Sequence, residues 1–136
     1  MKFEVRNGCY AYVVHKHPAK AILNNISFEA KSGQMLAVLG PNGVGKTTLL
    51  KCSMGLLPWQ SGNSFLDGEN IRSIPERHLW QRIAYVPQTS TAAHQFTAEE
   101  MVLIGRSPYL GPWQQPRELD RKKALDAMER VGIAYL

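Results

Sequence analysis

Apolar and polar residues alternate at the start of the chain. Phe3-Glu4-Val5-Arg6 has the period of a half-buried strand, Ala11-Tyr12-Val13-Val14 predicts a second extended segment, and the polar residues His15 to Lys20 predict a loop or hairpin tip. Alternation returns from Ile22 to Ala30, with Ile26 and Phe28 on one face, until Ser32-Gly33 turns the chain. Met35-Leu36-Ala37-Val38-Leu39 departs from that pattern. A short continuous apolar run predicts a parallel strand buried on both faces, and a glycine-rich loop follows it directly.

Beyond the loop the period changes to that of a helix. Leu49, Leu50, Met54 and Leu57 share a face, which predicts a helix over Lys46 to Leu57 halted by Pro58. Ser61-Gly62 and Asp67-Gly68 bracket a short strand around Phe65, with Ile71 following on the same sheet. Pro75 suits the first turn of a short helix, Glu76 to Arg82, because its missing N–H would have no helical partner there. Ile83-Ala84-Tyr85-Val86 predicts another buried strand, broken at Pro87, and Gln88 to Gln95 a polar, flexible loop. Thr97 and Glu100 form a capping box, with Phe96 and Met101 placed as a hydrophobic staple, so a helix starts at Ala98. Ser107 to Pro116 carries Pro108, Pro112 and Pro116 and predicts a loop. Arg117 to Val131 predicts a helix with Leu125, Met128 and Val131 on one face and Gly132 as its stop.

Composition narrows the class. The chain has 136 residues, 44% hydrophobic and 20% charged, which is long enough for a real core and reads as one globular domain or a piece of a larger one. No apolar run approaches the ~20 residues of a membrane span, and the first six residues lack a secretory signal's apolar segment, so a cytoplasmic location is expected. The net charge of +5 is moderate and scattered apart from Arg121-Lys122-Lys123 on a predicted helix, a pattern of a solvated face; no nucleic acid is expected as partner. Cys9 and Cys52 are far apart and read as small buried apolar side chains. His15, His17, His78 and His94 make no metal-ligand pattern.

The candidate chemistry lies in Gly40-Pro41-Asn42-Gly43-Val44-Gly45-Lys46-Thr47, which satisfies G-x-x-x-x-G-K-[ST] between a predicted buried strand and a helix. Glycines let the backbone curl so that successive N–H groups point inward, and the loop delivers phosphates to the positive end of the following helix. Lys46 then reaches the β- and γ-phosphates, Thr47 offers its hydroxyl to Mg²⁺, and Thr48 stands near the α-phosphate. A nucleotide with Mg²⁺ is the ligand this implies, and the resemblance that follows makes the nucleotide ATP.

Four blocks in order, Gly40 to Leu50, Ser61-Gly62, Asp67-Gly68 and Tyr85-Val86-Pro87-Gln88, make the chain resemble the first half of an ABC-type ATP-binding subunit. The resemblance covers essentially the whole chain. It implies an α/β fold: a P-loop NTPase (RecA-like) core with an N-terminal antiparallel β subdomain and the start of a helical subdomain. Residues 1–34 and 60–75 would be mainly the β subdomain, 35–58 and 76–88 the nucleotide-binding core, 89–95 the Q-loop and 96–136 the start of the helical subdomain. An aromatic after the first strand stacks on adenine in such subunits; Tyr12 holds the matching place, with Tyr10 as the alternative ring. Gln88 matches the Q-loop glutamine, which approaches Mg²⁺ and the attacking water and transmits nucleotide state. Lys46 and Gln88 are therefore the catalytic positions implied, with Thr47 and Gln88 toward Mg²⁺.

The segment Phe96 to Tyr109, with Gly105-Arg106-Ser107-Pro108, is similar to the importer group that takes up iron-siderophore complexes, haem and cobalamin, and Arg117 to Leu136 continues the likeness. The partners implied are integral-membrane transporter subunits, reached through the Q-loop and helical region, and a second copy in a homodimer, peripheral on the inner face of the cell membrane. The family's signature motif, its second acidic strand with the catalytic Glu, and its switch His have no counterpart here, and Asp120, Asp126 and Glu129 have ordinary helix-surface spacing. A truncated subunit that binds ATP weakly and does not hydrolyse it is expected. A soluble non-transport ABC-type ATPase and an inactive relic are the alternatives.

Overall fold

A computed structural model describes residues 1–12, 20–88, 96–111 and 113–136. Two compact units divide the chain, Met1–Pro75 and Glu76–Leu136.

The first unit is an antiparallel sheet carrying one helix. Strands β1 (Lys2–Tyr12), β2 (Lys20–Lys31), β3 (Ser61–Leu66) and β4 (Glu69–Asn70) lie in the order β2-β1-β3-β4. The two extended segments predicted near the N-terminus are one strand as far as Tyr12. The pairing with β2 shifts register between Val5 and Gly8 and again on either side of Tyr10, and Asn7 takes a φ of 52°, so the alternation breaks while the strand continues. Such bulges interrupt the period of two without ending a strand. Val13 to Ala19 lie outside the described residues, and with them all of the predicted hairpin tip except Lys20, which begins β2.

Helix α1 (Lys46–Ser53) buries Leu49 and Cys52 in a core completed by Val5, Leu23 and Trp59, with Ile26 and Phe28 packed against it as their alternation predicts. The helix is shorter than expected. Gly55, at φ 78°, donates its N–H to the Cys52 carbonyl and turns the chain well before Pro58, as a glycine beyond a helix C-terminus does. Trp59 lies flat on β1, where a Cβ at Gly8 would stand 2.6 Å from its ring, and its Nε1–H donates to the buried Ser64 hydroxyl at 2.9 Å.

The two buried parallel strands predicted from apolar runs do not form among the described residues. Met35, Leu36 and Leu39 are 96%, 49% and 89% exposed, and Val86 is 90% exposed; neither run takes strand pairing. A parallel strand is held by ladders on its sides. No described segment pairs with either run; Val38 packs against the core, and Ile83 and Tyr85 are half-buried.

The second unit holds α2 (Glu76–Arg82), α3 (Ala98–Ile104), a 3₁₀ turn (Ser107–Tyr109) inside the predicted loop, and α4 (Glu118–Arg130). The capping box forms as predicted: the Glu100 N–H donates to Thr97 Oγ1 at 3.2 Å and the Thr97 N–H to the Glu100 carboxylate at 2.8 Å. Gly132, at φ 75°, closes α4; its N–H reaches the Glu129 carbonyl and that of Ile133 reaches Met128, a Schellman ending. The buried face of α4 agrees with the predicted one only at Met128. Asp120, Ala124 and Met128 face inward, whereas Leu125 and Val131 are 48% and 70% exposed. The row steps by four residues from Asp120, whose burial is made possible by a salt bridge from Arg106 Nε at 3.0 Å. No helix among the described residues is long and apolar enough to cross a membrane.

Candidate functional site: the phosphate loop and its surroundings

Residues 40–45 turn on glycines that the backbone requires. Gly43 and Gly45 take φ of 80° and 107°, the left-handed region that side chains resist. At Gly45 there is also no room: a Cβ would stand 2.7 Å from Ile22 Cγ2 on β2. Strand β2 thus sets the floor on which α1 begins. Ile22's part in this was not foreseen, since its place in an alternating strand marks it only as half-buried.

Lys46, the first residue of α1, bends back over the loop. Its Nζ donates to the carbonyls of Gly40 and Pro41, each at 2.8 Å, so one ammonium spans the loop's entry. Gly45 provides no side-chain cap, and the first turn of α1 contains no acidic residue. The first helical bond runs from the Leu49 N–H to the Gly45 carbonyl, so the N–H groups of Lys46, Thr47 and Thr48 have no acceptor within the helix. They add to the positive end of the helix dipole. Thr47 is exposed beside them, as are Pro41, Asn42, Gly43 and Val44.

Thr48 is turned the other way. It is 8% exposed, and its Oγ1 lies 3.3 Å from Tyr12 Oη. The structure therefore brings Tyr12, at the end of β1, to the first turn of α1. Tyr12 is 46% exposed, and its ring meets that of Tyr10 edge-on, with centroids 5.1 Å apart. Tyr10 packs against the core, and burial pushes its phenol pKa up, with smaller contributions from Tyr12 and Cys52. Of the two candidate rings, Tyr12 belongs to the more exposed residue.

Gln88 belongs to the other unit, where it is exposed. Residues 89–95, the predicted Q-loop, lie outside the described residues. Three acidic side chains of α3 and α4 are engaged in structure: Asp120 with Arg106 and the Arg117 N–H, Glu99 with Arg121, Glu100 with Thr97. Asp120 is buried, contrary to its expected surface position, and the Arg117 N–H followed by the Arg106 guanidinium hold its pKa below the usual value. No group of three or more His, Cys, Asp or Glu able to hold a metal occurs among the described residues.

The two cysteines differ, although the sequence predicts both to be buried. Cys52 is fully buried and burial raises its pKa to about 11. Cys9 is only partly buried. Hydrogen bonds from Ser61 and from the Asn25 N–H, at 3.2 Å, lower its pKa.

A nucleotide's polyphosphate fits this chemistry. A loop curled on glycines, an ammonium, bare helical N–H groups and an exposed hydroxyl gather at one place with no carboxylate among them.

Comparison with known proteins agrees. The Listeria monocytogenes protein named manganese transport system ATP-binding protein MntB is 39% identical over 116 residues, covering 84% of this chain and 46% of that protein. The hemin import ATP-binding protein HmuV of Pseudomonas entomophila is 36% identical over 123 residues, covering 89% of this chain and 48% of that one. The chain spans about half the length of these curated relatives. Among solved structures, the ATP-binding cassette MJ0796, a dimer bound to ADP and Pi, aligns over 96% of this chain and 57% of its own with a TM-score of 0.78 at 24% identity. That similarity shows the fold: an α/β P-loop NTPase core with its N-terminal antiparallel β subdomain and the first helices of a helical subdomain. Residues 23–136 match the family model described as ABC transporter, and the chain belongs to that family.

Proposed function

We propose that the chain is the nucleotide-gripping part of an ATP-binding subunit of an ABC-type importer, whose ATP binding and hydrolysis drive uptake. One observation supports this most: the acid-free, uncapped start of α1, opening directly from the glycine loop with Lys46 folded over it. When bound, Mg²⁺-ATP supplies the phosphoanhydride that the subunit cleaves. The backbone of Gly40 to Gly45 and the N–H groups of Lys46 to Thr48 hold the phosphates. Lys46 leaves the Gly40 and Pro41 carbonyls for them, Thr47 offers its exposed hydroxyl to Mg²⁺, and Tyr12 gives adenine a ring face. Gln88 reports the nucleotide's state.

In this reading residues 1–34 and 60–75 serve as β subdomain, 35–58 and 76–88 as nucleotide-binding core, and 96–136 as the helical arm toward membrane subunits. A second copy would complete the working pair; the dimeric MJ0796 cassette supports it. The protein would then sit in the cytoplasm, on the inner face of the membrane. For the cargo, the names of the manganese and hemin relatives support a metal ion or metal chelate. Haem, iron-siderophore complexes and cobalamin all fall within that class.

The 136-residue chain is expected to hold nucleotide without turning it over, because residues 96–136 offer no carboxylate at the end of an apolar strand to polarise water. Phosphate release from the purified chain tests this. Background-level release is expected, and a rate well above background that disappears with Lys46→Ala would contradict it. In cells, uptake of the transported metal or hemin should be lost with Lys46→Ala in the complete protein; undiminished uptake would exclude the importer assignment.

A further inference from the structure

The segment Gly105-Arg106-Ser107-Pro108-Tyr109 marks the chain's likeness to one importer group, yet nothing in the nucleotide site uses it. Its contacts run in two directions. Toward α2, the Pro108 carbonyl accepts from Arg77 Nε at 2.8 Å and from Gln81 Nε2 at 2.6 Å, while the Tyr109 hydroxyl donates to the Gln81 carbonyl at 3.1 Å. Toward α4, Arg106 Nε donates to Asp120 Oδ1 at 3.0 Å, and Asp120 Oδ2 accepts the Arg117 N–H at the helix start. The two sides meet within the segment, where the Arg106 guanidinium lies 4.0 Å above the Tyr109 ring.

We propose that Arg106, Pro108 and Tyr109 form a connector that makes α2 and α4 move as one piece, so that a displacement at the Gln88 end of α2 reaches α4. Three properties support it. The contacts to α2 are made at both its ends, from Arg77 in the first turn and Gln81 in the last, a short distance before Gln88 in the chain. Asp120 is buried and bound through both carboxylate oxygens, so Arg106 cannot shift without leaving a buried charge unpaired. The guanidinium is planar, which lets one group stack on Tyr109 and bond Asp120 together, as an ammonium would not. Arg106 and Tyr109 are thus positioning residues. Their proposed consequence rests on Gln88 sensing nucleotide, as suggested above; the mechanical link itself does not.

Amide hydrogen exchange of the 136-residue chain without nucleotide tests the link, reading each helix while the other is altered. Asp120→Asn, on the α4 side, should speed exchange of the Ile83 N–H, which closes the last turn of α2 on the Leu79 carbonyl. Gln81→Leu, on the α2 side, should speed exchange of the Arg121 N–H, which closes the first turn of α4 on Arg117. About fivefold is expected for each, the size of one net hydrogen bond lost from a cooperative unit. Tyr109→Phe, which removes a single hydroxyl, should act on both sides and guards against a variant that fails to fold. The Ser32 and Asp67 amides of the first unit serve as the reference and should not change. Faster exchange confined to the altered helix would overturn the connector. If the cross-effects appear but Gln88→Ala leaves Mg²⁺-ATP affinity and the complete protein's turnover unchanged, the link stands and the sensing role of Gln88 fails instead.

Discussion

Tyr12 Oη and Thr48 Oγ1 lie 3.3 Å apart, 36 residues distant in sequence, and this contact ties the end of β1 to the first turn of α1. It fixes which aromatic stands beside the start of α1. Tyr12→Ala should weaken ATP binding about tenfold or more, within the range of base–aromatic stacking. Tyr12→Phe should change it little, because the ring face survives. Tyr10→Phe should leave it unaltered. Fluorescent-nucleotide titration checks all three, and a larger loss at Tyr10 than at Tyr12 would reassign the platform.

Gly45 is required by its backbone and by its neighbour. Gly45→Ala places a methyl against Ile22 at φ 107°, so a loss of about 1–3 kcal/mol is expected in urea unfolding. Adding Ile22→Ala should recover the steric part and leave the conformational part. Full recovery would show that φ contributes nothing.

Trp59 and Ser64 form a buried donor–acceptor pair at 2.9 Å. Trp59→Phe leaves the Ser64 hydroxyl without its partner and should cost about 1–3 kcal/mol beyond the lost packing. Trp59→Phe combined with Ser64→Ala should be less destabilised than the sum of the two single variants, as a double-mutant cycle in urea would reveal.

The thiols should separate by pH. With Cys9 lowered and Cys52 near 11, a thiol reagent at pH 8 should modify Cys9 first. Cys52 should react only when the fold opens. Mass spectrometry of the labelled sites reads the order, and equal rates in the folded chain would contradict the burial of Cys52.

Asp120 carries an acid-sensitive contribution. Its folded pKa lies below its ordinary value, so the stability it lends is fully present above that ordinary value, about 4. That stability is lost as pH falls through the folded pKa. Asp120→Asn should lower stability at pH 7 and flatten the decline on acidification. An unchanged acid profile would show that the Arg106 pair is not coupled to folding.

These residues also show what the sequence made legible. The glycine-turned loop before α1, the capping box at Thr97 and the boundaries of α2 follow from local chemistry, where a glycine spacing or a side chain three residues away decides the conformation. Contacts across the chain were not legible: nothing local says that Ile22 floors Gly45 or that Asp120 turns inward to meet Arg106. The apolar runs Met35–Leu39 and Ile83–Val86 show the opposite failure. Their pattern records burial against strands that no described residue supplies.

The central claim is that Gly40 to Thr48 grip the phosphates of Mg²⁺-ATP, with Lys46 as their cation. Isothermal titration of the purified chain with Mg²⁺-ATP tests it most directly. Saturable binding at one site, weakened at least about tenfold by Lys46→Ala, is the predicted result; equal affinity of the two proteins, or no difference between ATP and buffer, would contradict it.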